Sequence, residues 1–271
     1  MFAGDCRARF RALHARDELF VMPNPWDVGS ARLLESQGFE ALATTSAGLA
    51  WSLGKLDQQV TREELVAHVA SLTAGISVPL NVDSERCFPD DPGGVAETVA
   101  RLAEAGAAGF SVEDYDPATG TIDDVEVAAE RVSVAAEAAH RLAEPLVVTG
   151  RAENHIHGVD DLGDTIARLI AYRNAGADVV YAPGLADLGR IAGVVEAVGV
   201  PVNVLALANG PSIAELASVG VRRVSTGGAL AASAYGALAA GARELLAEGT
   251  SRYAASRVSP QQLKSAFGSA P

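Results

Sequence analysis

Eight short runs of β-forming residues recur along the chain: LFVMPN from Leu19, ALATT from Ala41, PLNVDS from Pro79, GFSVED from Gly109, LVVTGR from Leu146, DVVYAP from Asp178, PVNVLA from Pro201 and RRVSTG from Arg222. Helix-period segments separate them, and their ends are marked. Thr61 with Glu64, and Ser212 with Glu215, have the spacing of a capping box, in which each partner satisfies an otherwise orphaned N–H. Gly38, Gly106, Gly176 and Gly220 each stand just before a β run, where a left-handed residue stops a helix. Strand then helix, eight times over in roughly 250 residues, predicts a parallel sheet closed into a (β/α)8 TIM-type barrel. A doubly wound open sheet is the alternative, and the lack of GxGxxG after the first run weakens it.

The 271 residues, 49% hydrophobic and 20% charged, suit one large barrel domain over 1–271, and no Pro/Ser-rich or low-complexity linker divides them. Lys and Arg total 21 against 34 Asp and Glu, so the net charge of −13 disfavours nucleic acid or an anionic membrane as partner. Two cysteines, Cys6 and Cys87, without CxxC or zinc spacing, point to a reducing, cytoplasmic home. The charged N-terminus has no apolar core of a signal peptide, and the uncharged run 229–242 is too short for a bilayer span.

In a β/α barrel the chemistry gathers where the strands end. There the chain places Asp83 and Glu85, two apart in VDSE, Glu113 in SVED, and Asp57 in the LGKLDQQ loop. Several carboxylates in a low-dielectric mouth repel one another unless protons or a cation balance them. An all-oxygen set without Cys or His suits Mg²⁺, or Mn²⁺. The competing reading has these acids capping helices or pairing with Arg86. Arg151, in TGRAENHIH, offers a fork for a substrate carboxylate. Thr45, Ser46 and Gly48 of TTSAG offer hydroxyls and close N–H groups for another substrate oxygen.

These residues in this order resemble the isocitrate lyase and phosphoenolpyruvate mutase superfamily, from NPWDVGSARLLESQGFEALATTSAG through LGKLD, VDSE, SVED and GRAE to NAGADVVYAPGL and GVRRVSTGG. The resemblance implies an α/β barrel, a dimer or tetramer that exchanges C-terminal helices, and small 2-oxo or 2-hydroxy acid substrates held on Mg²⁺. It makes Asp57, Asp83, Glu85 and Glu113 the direct or water-bridged metal shell. Arg151 would take the substrate carboxylate, with Thr45, Ser46 and Ala47 on its oxygens and Asn203 a further pocket member. Arg151, Glu113 and Asp57 would carry the catalysis.

Two departures narrow the activity. The K-[KR]-C-G-H lid of the isocitrate and methylisocitrate lyases is replaced by EDYDPATGTIDDVE, which excludes a true isocitrate lyase, and the Lys-rich lid of the phosphonate branch is missing too. Many relatives read D-x-[DE]-x-G-Y-G where this chain has Arg86, Cys87, Phe88 and Pro89. Cys87 reads as a small apolar filler rather than a relocated proton donor, His155 and His157 as a polar loop, and Trp26 as rim packing. The expectation is a Mg²⁺-dependent carbon–carbon lyase acting on a substrate such as oxaloacetate or a substituted malate. C–P bond chemistry and a non-catalytic 2-oxo acid binder are the alternatives.

Overall fold

The computed structural model describes residues 3–268. Each of the eight β runs becomes a strand: β1 (Phe20–Met22), β2 (Leu42–Ala43), β3 (Leu80–Asp83) and β4 (Gly109–Glu113), then, after a hairpin of β5 (Tyr115–Asp116) and β6 (Thr121–Ile122), β7 (Val147–Arg151), β8 (Val179–Tyr181), β9 (Val202–Leu205) and β10 (Arg223–Ser225). The eight pair in parallel in the order β1-β10-β9-β8-β7-β4-β3-β2. The two ends of that order meet, because the Ala43 N–H donates to the Pro23 carbonyl at 3.1 Å and Asn24 Nδ2 to the Thr44 carbonyl at 2.7 Å. The sheet thus closes into the expected barrel, and the open doubly wound alternative falls.

Local chemistry sets the helix ends. Both capping boxes form, at Thr61–Glu64 and Ser212–Glu215. The four stop glycines all take positive φ, between 86° at Gly220 and 106° at Gly176, which a Cβ would strain. The helices Val28–Ser36, Arg62–Gly75, Gly94–Glu104, Val125–His140, Leu162–Asn174 and Leu188–Val198 bury apolar faces against the outward side chains of the barrel, such as Val82, Phe110, Val148 and Val180.

The N-terminal end of the barrel is plugged. Helix Ala3–His14 puts Phe10 and Leu13 into a cluster with Phe20, Met22, Ala41, Val147 and Val179. Arg7 and Arg11 tie it down by donating to the carbonyls of Ala107 and Pro145. The open end of the barrel is therefore the other one, where the strands finish.

The helix after β10, Ala229–Glu248, departs from the pattern. Of its 20 residues only Ala231 and Gly241 are buried, and Leu246 stands 91% exposed. A shorter helix, Pro260–Phe267, packs instead on Val28–Ser36 and is capped by Ser259 with Gln262. The stretch after Pro260 is thus helical to Phe267, while Ser269–Pro271 lie outside the described residues. Among the described residues, no helix is long and apolar enough to cross a membrane.

Candidate active site

Strand register brings the chemistry together. Asp83 pairs with Ser111, Glu113 with Arg151, Arg151 with Tyr181, and Tyr181 with Asn203, so one row of inward side chains runs around the mouth. A cavity of about 150 Å³ opens there, lined by Thr45, Ser46, Ala47, Asp57, Asp83, Arg151 and Asn203 among others. That is room for a small acid rather than a nucleotide.

Arg151 stands at the centre. Its Nη1 lies 3.1 Å from Asp83 Oδ1 and 3.2 Å from Glu113 Oε2, its Nε pairs with Glu153, and its guanidinium lies 5.4 Å from the Tyr181 ring centre. Burial works to lower its pKa, but the charges of Glu153, Glu113 and Asp83 override that and hold it well above the usual value. One cation thus faces three carboxylates directly, with Glu85 and Asp57 beyond.

The acids show the strain of that imbalance. Burial first, then Asp83 and Asp57, push Glu85 up to about 8. Burial likewise raises Asp57 and, well above the usual carboxylate range, Glu113. Glu113 Oε1 accepts from Gln58 Nε2 at 2.9 Å, and Asp83 Oδ2 from the Ser46 N–H at 3.2 Å. Glu85 Oε1 is buried with no hydrogen-bond partner. An orphaned carboxylate oxygen among other acids fits a hard cation, which would supply the missing charge. Among the described residues no three acid, His or Cys side chains form a ready-made metal cage.

Two details bear on how the acids are placed. Strand alternation does not place Glu85, since β3 ends at Asp83 and Glu85 turns back with φ 51°. Arg86 does not pair with the site acids either. It binds Asp116 at 3.2 Å and Asp123 at 3.2 Å, clamping the β5–β6 hairpin that replaces the lid. Tyr115 of that hairpin stacks on His157 at 3.7 Å, so His157 serves the loop framework. His155 turns to Thr165, and Ile156 is the member of that loop lining the cavity. Gly48 spends its N–H on Thr45 Oγ1, and a Cβ there would come within 3.0 Å of Trp26 Cβ, which confirms Trp26 as packing at the rim.

Cys87 occupies the position of the first glycine in the relatives' G-Y-G with φ 62°, fully buried, and burial pushes its thiol up to about 12. A thiol so placed is inert. Titration of the native protein with a thiol reagent at pH 8 is expected to leave Cys87 unmodified until denaturant is added; rapid native modification would contradict this packing.

Sequence reasoning passed over Glu153, Tyr181, Asn24 and Arg223. Asn24 Oδ1 accepts from the Thr226 and Gly227 N–H groups at 2.8 and 3.0 Å, fixing the loop after β10. Asp114 is fully buried and holds the Glu153 N–H at 2.9 Å, as well as Tyr172 and Arg168. Strand parity was the available signal, since Tyr181 and Arg223 fall on inward positions of their runs.

A closed (β/α)8 barrel with an acidic mouth around one arginine defines a class of enzymes acting on small acids. The chain belongs to the phosphoenolpyruvate phosphomutase family, whose model matches residues 10–246. The resemblance read from VDSE, SVED and GRAE therefore holds. A solved structure from Burkholderia cenocepacia J2315, described provisionally as a lyase/mutase, is 47% identical, covers 98% of both chains and superposes with a TM-score of 0.94. A Mycobacterium tuberculosis protein of uncharacterized activity is 36% identical over 80% of this chain and 81% of its own. The oxaloacetate decarboxylase of Paraburkholderia xenovorans (strain LB400) is 31% identical over 80% of this chain and 74% of its own.

Proposed function

We infer that the protein is a divalent-metal-dependent lyase that breaks a C–C bond in a small 2-oxo or 2-hydroxy dicarboxylic acid, with oxaloacetate or a substituted malate as the substrate type. The observation that carries this reading is the unbalanced acid group of Asp57, Asp83, Glu85 and Glu113 around Arg151, of which Asp57, Asp83 and Arg151 line a cavity of about 150 Å³. The likeness to an oxaloacetate decarboxylase supports the substrate class. Mg²⁺, or Mn²⁺, would be held by those four acids, directly or through water. When bound, it supplies Lewis acidity toward negative charge developing on a substrate oxygen.

The chain's own groups do the rest. Arg151, held by Glu153 and Tyr181, presents its guanidinium to the substrate carboxylate and orients it. Thr45, Ser46 and Ala47, the cap and first turn of the helix Ser46–Ser52, lie alongside to receive a second oxygen. Asn203 borders the floor. Arg86 clamps the β5–β6 hairpin through Asp116 and Asp123. Lacking Cys, Lys and His, that hairpin offers no lid acid of the isocitrate lyase kind.

The enzyme would act in the cytoplasm as one barrel domain over 1–271, without nucleic acid or membrane. It would assemble as a dimer or tetramer, the exposed helix Ala229–Glu248 exchanging between subunits. Turnover of 2-oxo acids and substituted malates with and without Mg²⁺ tests the reading. The expected result is cleavage that requires the ion and vanishes in Asp83→Ala with the fold intact. Phosphate release from phosphonopyruvate, with no activity on any C–C substrate, would instead establish C–P chemistry. Tight oxaloacetate binding without product would establish a binder.

A further inference from the structure

Beneath the mouth lies a second arginine that the proposed chemistry leaves unused. Arg223 opens β10, is 1% exposed and heads the fully buried side chains by volume. In the closed strand order β10 stands across the barrel from β4, which carries Glu113. From there the Arg223 guanidinium spans the interior. Nε donates to Asn203 Oδ1 at 2.9 Å, Nη2 to Thr149 Oγ1 at 3.0 Å, and Nη1 lies 3.2 Å from His14 Nε2.

None of these partners is an acid. His14 is neutral too, because burial, and then Arg223 itself, push it down to about 3. Arg62 and Arg131, the other buried arginines, each have a carboxylate within 3.4 Å. Among the described residues Arg223 has none within ion-pair distance. A buried guanidinium among neutral acceptors is costly, and an apolar side chain of similar volume would fill the same space without that cost. Three hydrogen bonds also leave two of its five N–H groups uncommitted.

Arg223 borders the same cavity as Arg151 and Asp83, with Asn203 and Ser225 between. Asn203 in turn donates to Ser225 Oγ at 2.9 Å, so the floor is a linked polar surface fixed by the guanidinium. The cavity thus has a cation at its mouth and another at its floor. We propose that Arg223 is a specificity determinant: it receives the distal carboxylate of a dicarboxylic substrate whose 2-oxo acid end lies at the acidic mouth. The inference rests on the reading of the mouth as the site of a 2-oxo dicarboxylic acid and adds which residue holds the far carboxylate. A monocarboxylic acid would occupy the mouth and leave the floor cation unpaired.

Calorimetric titration in Mg²⁺ with pyruvate and with 3,3-difluorooxaloacetate, which differ in the far carboxylate and in the two fluorines beside the 2-oxo group, separates the two ideas through the effect of Arg223 on each. Arg223→Gln is expected to weaken the dicarboxylate by about 30-fold or more and pyruvate by less than about 3-fold, with Arg223→Lys recovering part of the loss. On the wild-type protein, the Arg223 Nε–H resonance is expected to shift with the dicarboxylate and not with pyruvate, a readout that needs no variant to fold. If both acids bind the wild type but lose affinity equally in Arg223→Gln, or the resonance ignores both, Arg223 is a core residue and this inference fails alone. If neither acid binds the wild type, the reading of the mouth fails with it.

Discussion

Replacing Arg151 with alanine is expected to lower kcat/KM by about 10³-fold or more, on the order of 4 kcal/mol of transition-state stabilisation. Two effects combine. The substrate loses its fork, and Asp83, Glu113 and Glu153 lose the cation that faces them. Removing one partner from a buried ion pair costs roughly 3–5 kcal/mol, so Arg151→Ala should also be less stable. Arg151→Lys separates the two. It keeps the charge but not the planar fork, and should restore most of the stability while leaving activity about 10²-fold down. Steady-state kinetics beside thermal melts would show this split; an Arg151→Lys enzyme with wild-type kcat/KM would contradict a bidentate role.

Metal and pH should act on stability in opposite directions. Burial, reinforced by Asp83 and Asp57, raises Glu85 to about 8, whereas the unfolded chain releases that proton near the usual glutamate value of about 4.3. Between those values the folded state binds the extra proton. Stability of the metal-free protein should therefore fall as pH rises through that window and level off above about 8, a loss of a few kcal/mol. Burial raises Asp57 and Glu113 as well, which steepens the same slope. A dication competes with those protons. Mg²⁺ at about 100 times its Kd adds about 2.7 kcal/mol, or roughly 5–10 °C in Tm for a chain of this size, and should do so more at pH 8 than at pH 6. Glu85→Gln should flatten both the slope and the Mg²⁺ effect. Melts showing no Mg²⁺ shift at pH 8, or stability rising from pH 5 to 8, would contradict this picture.

The periodic parts of the molecule were legible in the sequence because local rules govern them. Eight β runs, two capping boxes and four stop glycines each report a backbone preference, and all recur in the structure. The acids at the ends of β3 and β4 were legible for the same reason, since the end of a run marks the barrel mouth. What escaped were features made by distant partners. Glu153 holds Arg151 only because Asp114, 39 residues earlier, fixes its backbone. Arg86 entered the sequence reading only as a competing partner for the acids, and the hairpin's Asp116 and Asp123 take it instead. The role of Arg223 depends on what it lacks, and a missing carboxylate partner cannot be seen before the chain is folded. Glu85 lay beyond strand alternation because positive φ at a non-glycine residue carries no sequence mark.

Anomalous scattering from crystals grown with Mn²⁺ and oxalate tests the central claim most directly. One anomalous peak is expected among the carboxylates of Asp57, Asp83, Glu85 and Glu113, with oxalate oxygens in its coordination sphere and the Glu85 Oε1 atom directly or through water in contact with it. Density for oxalate against Arg151 with no metal peak beside those acids, in crystals whose solvent holds ample Mn²⁺, would contradict the account.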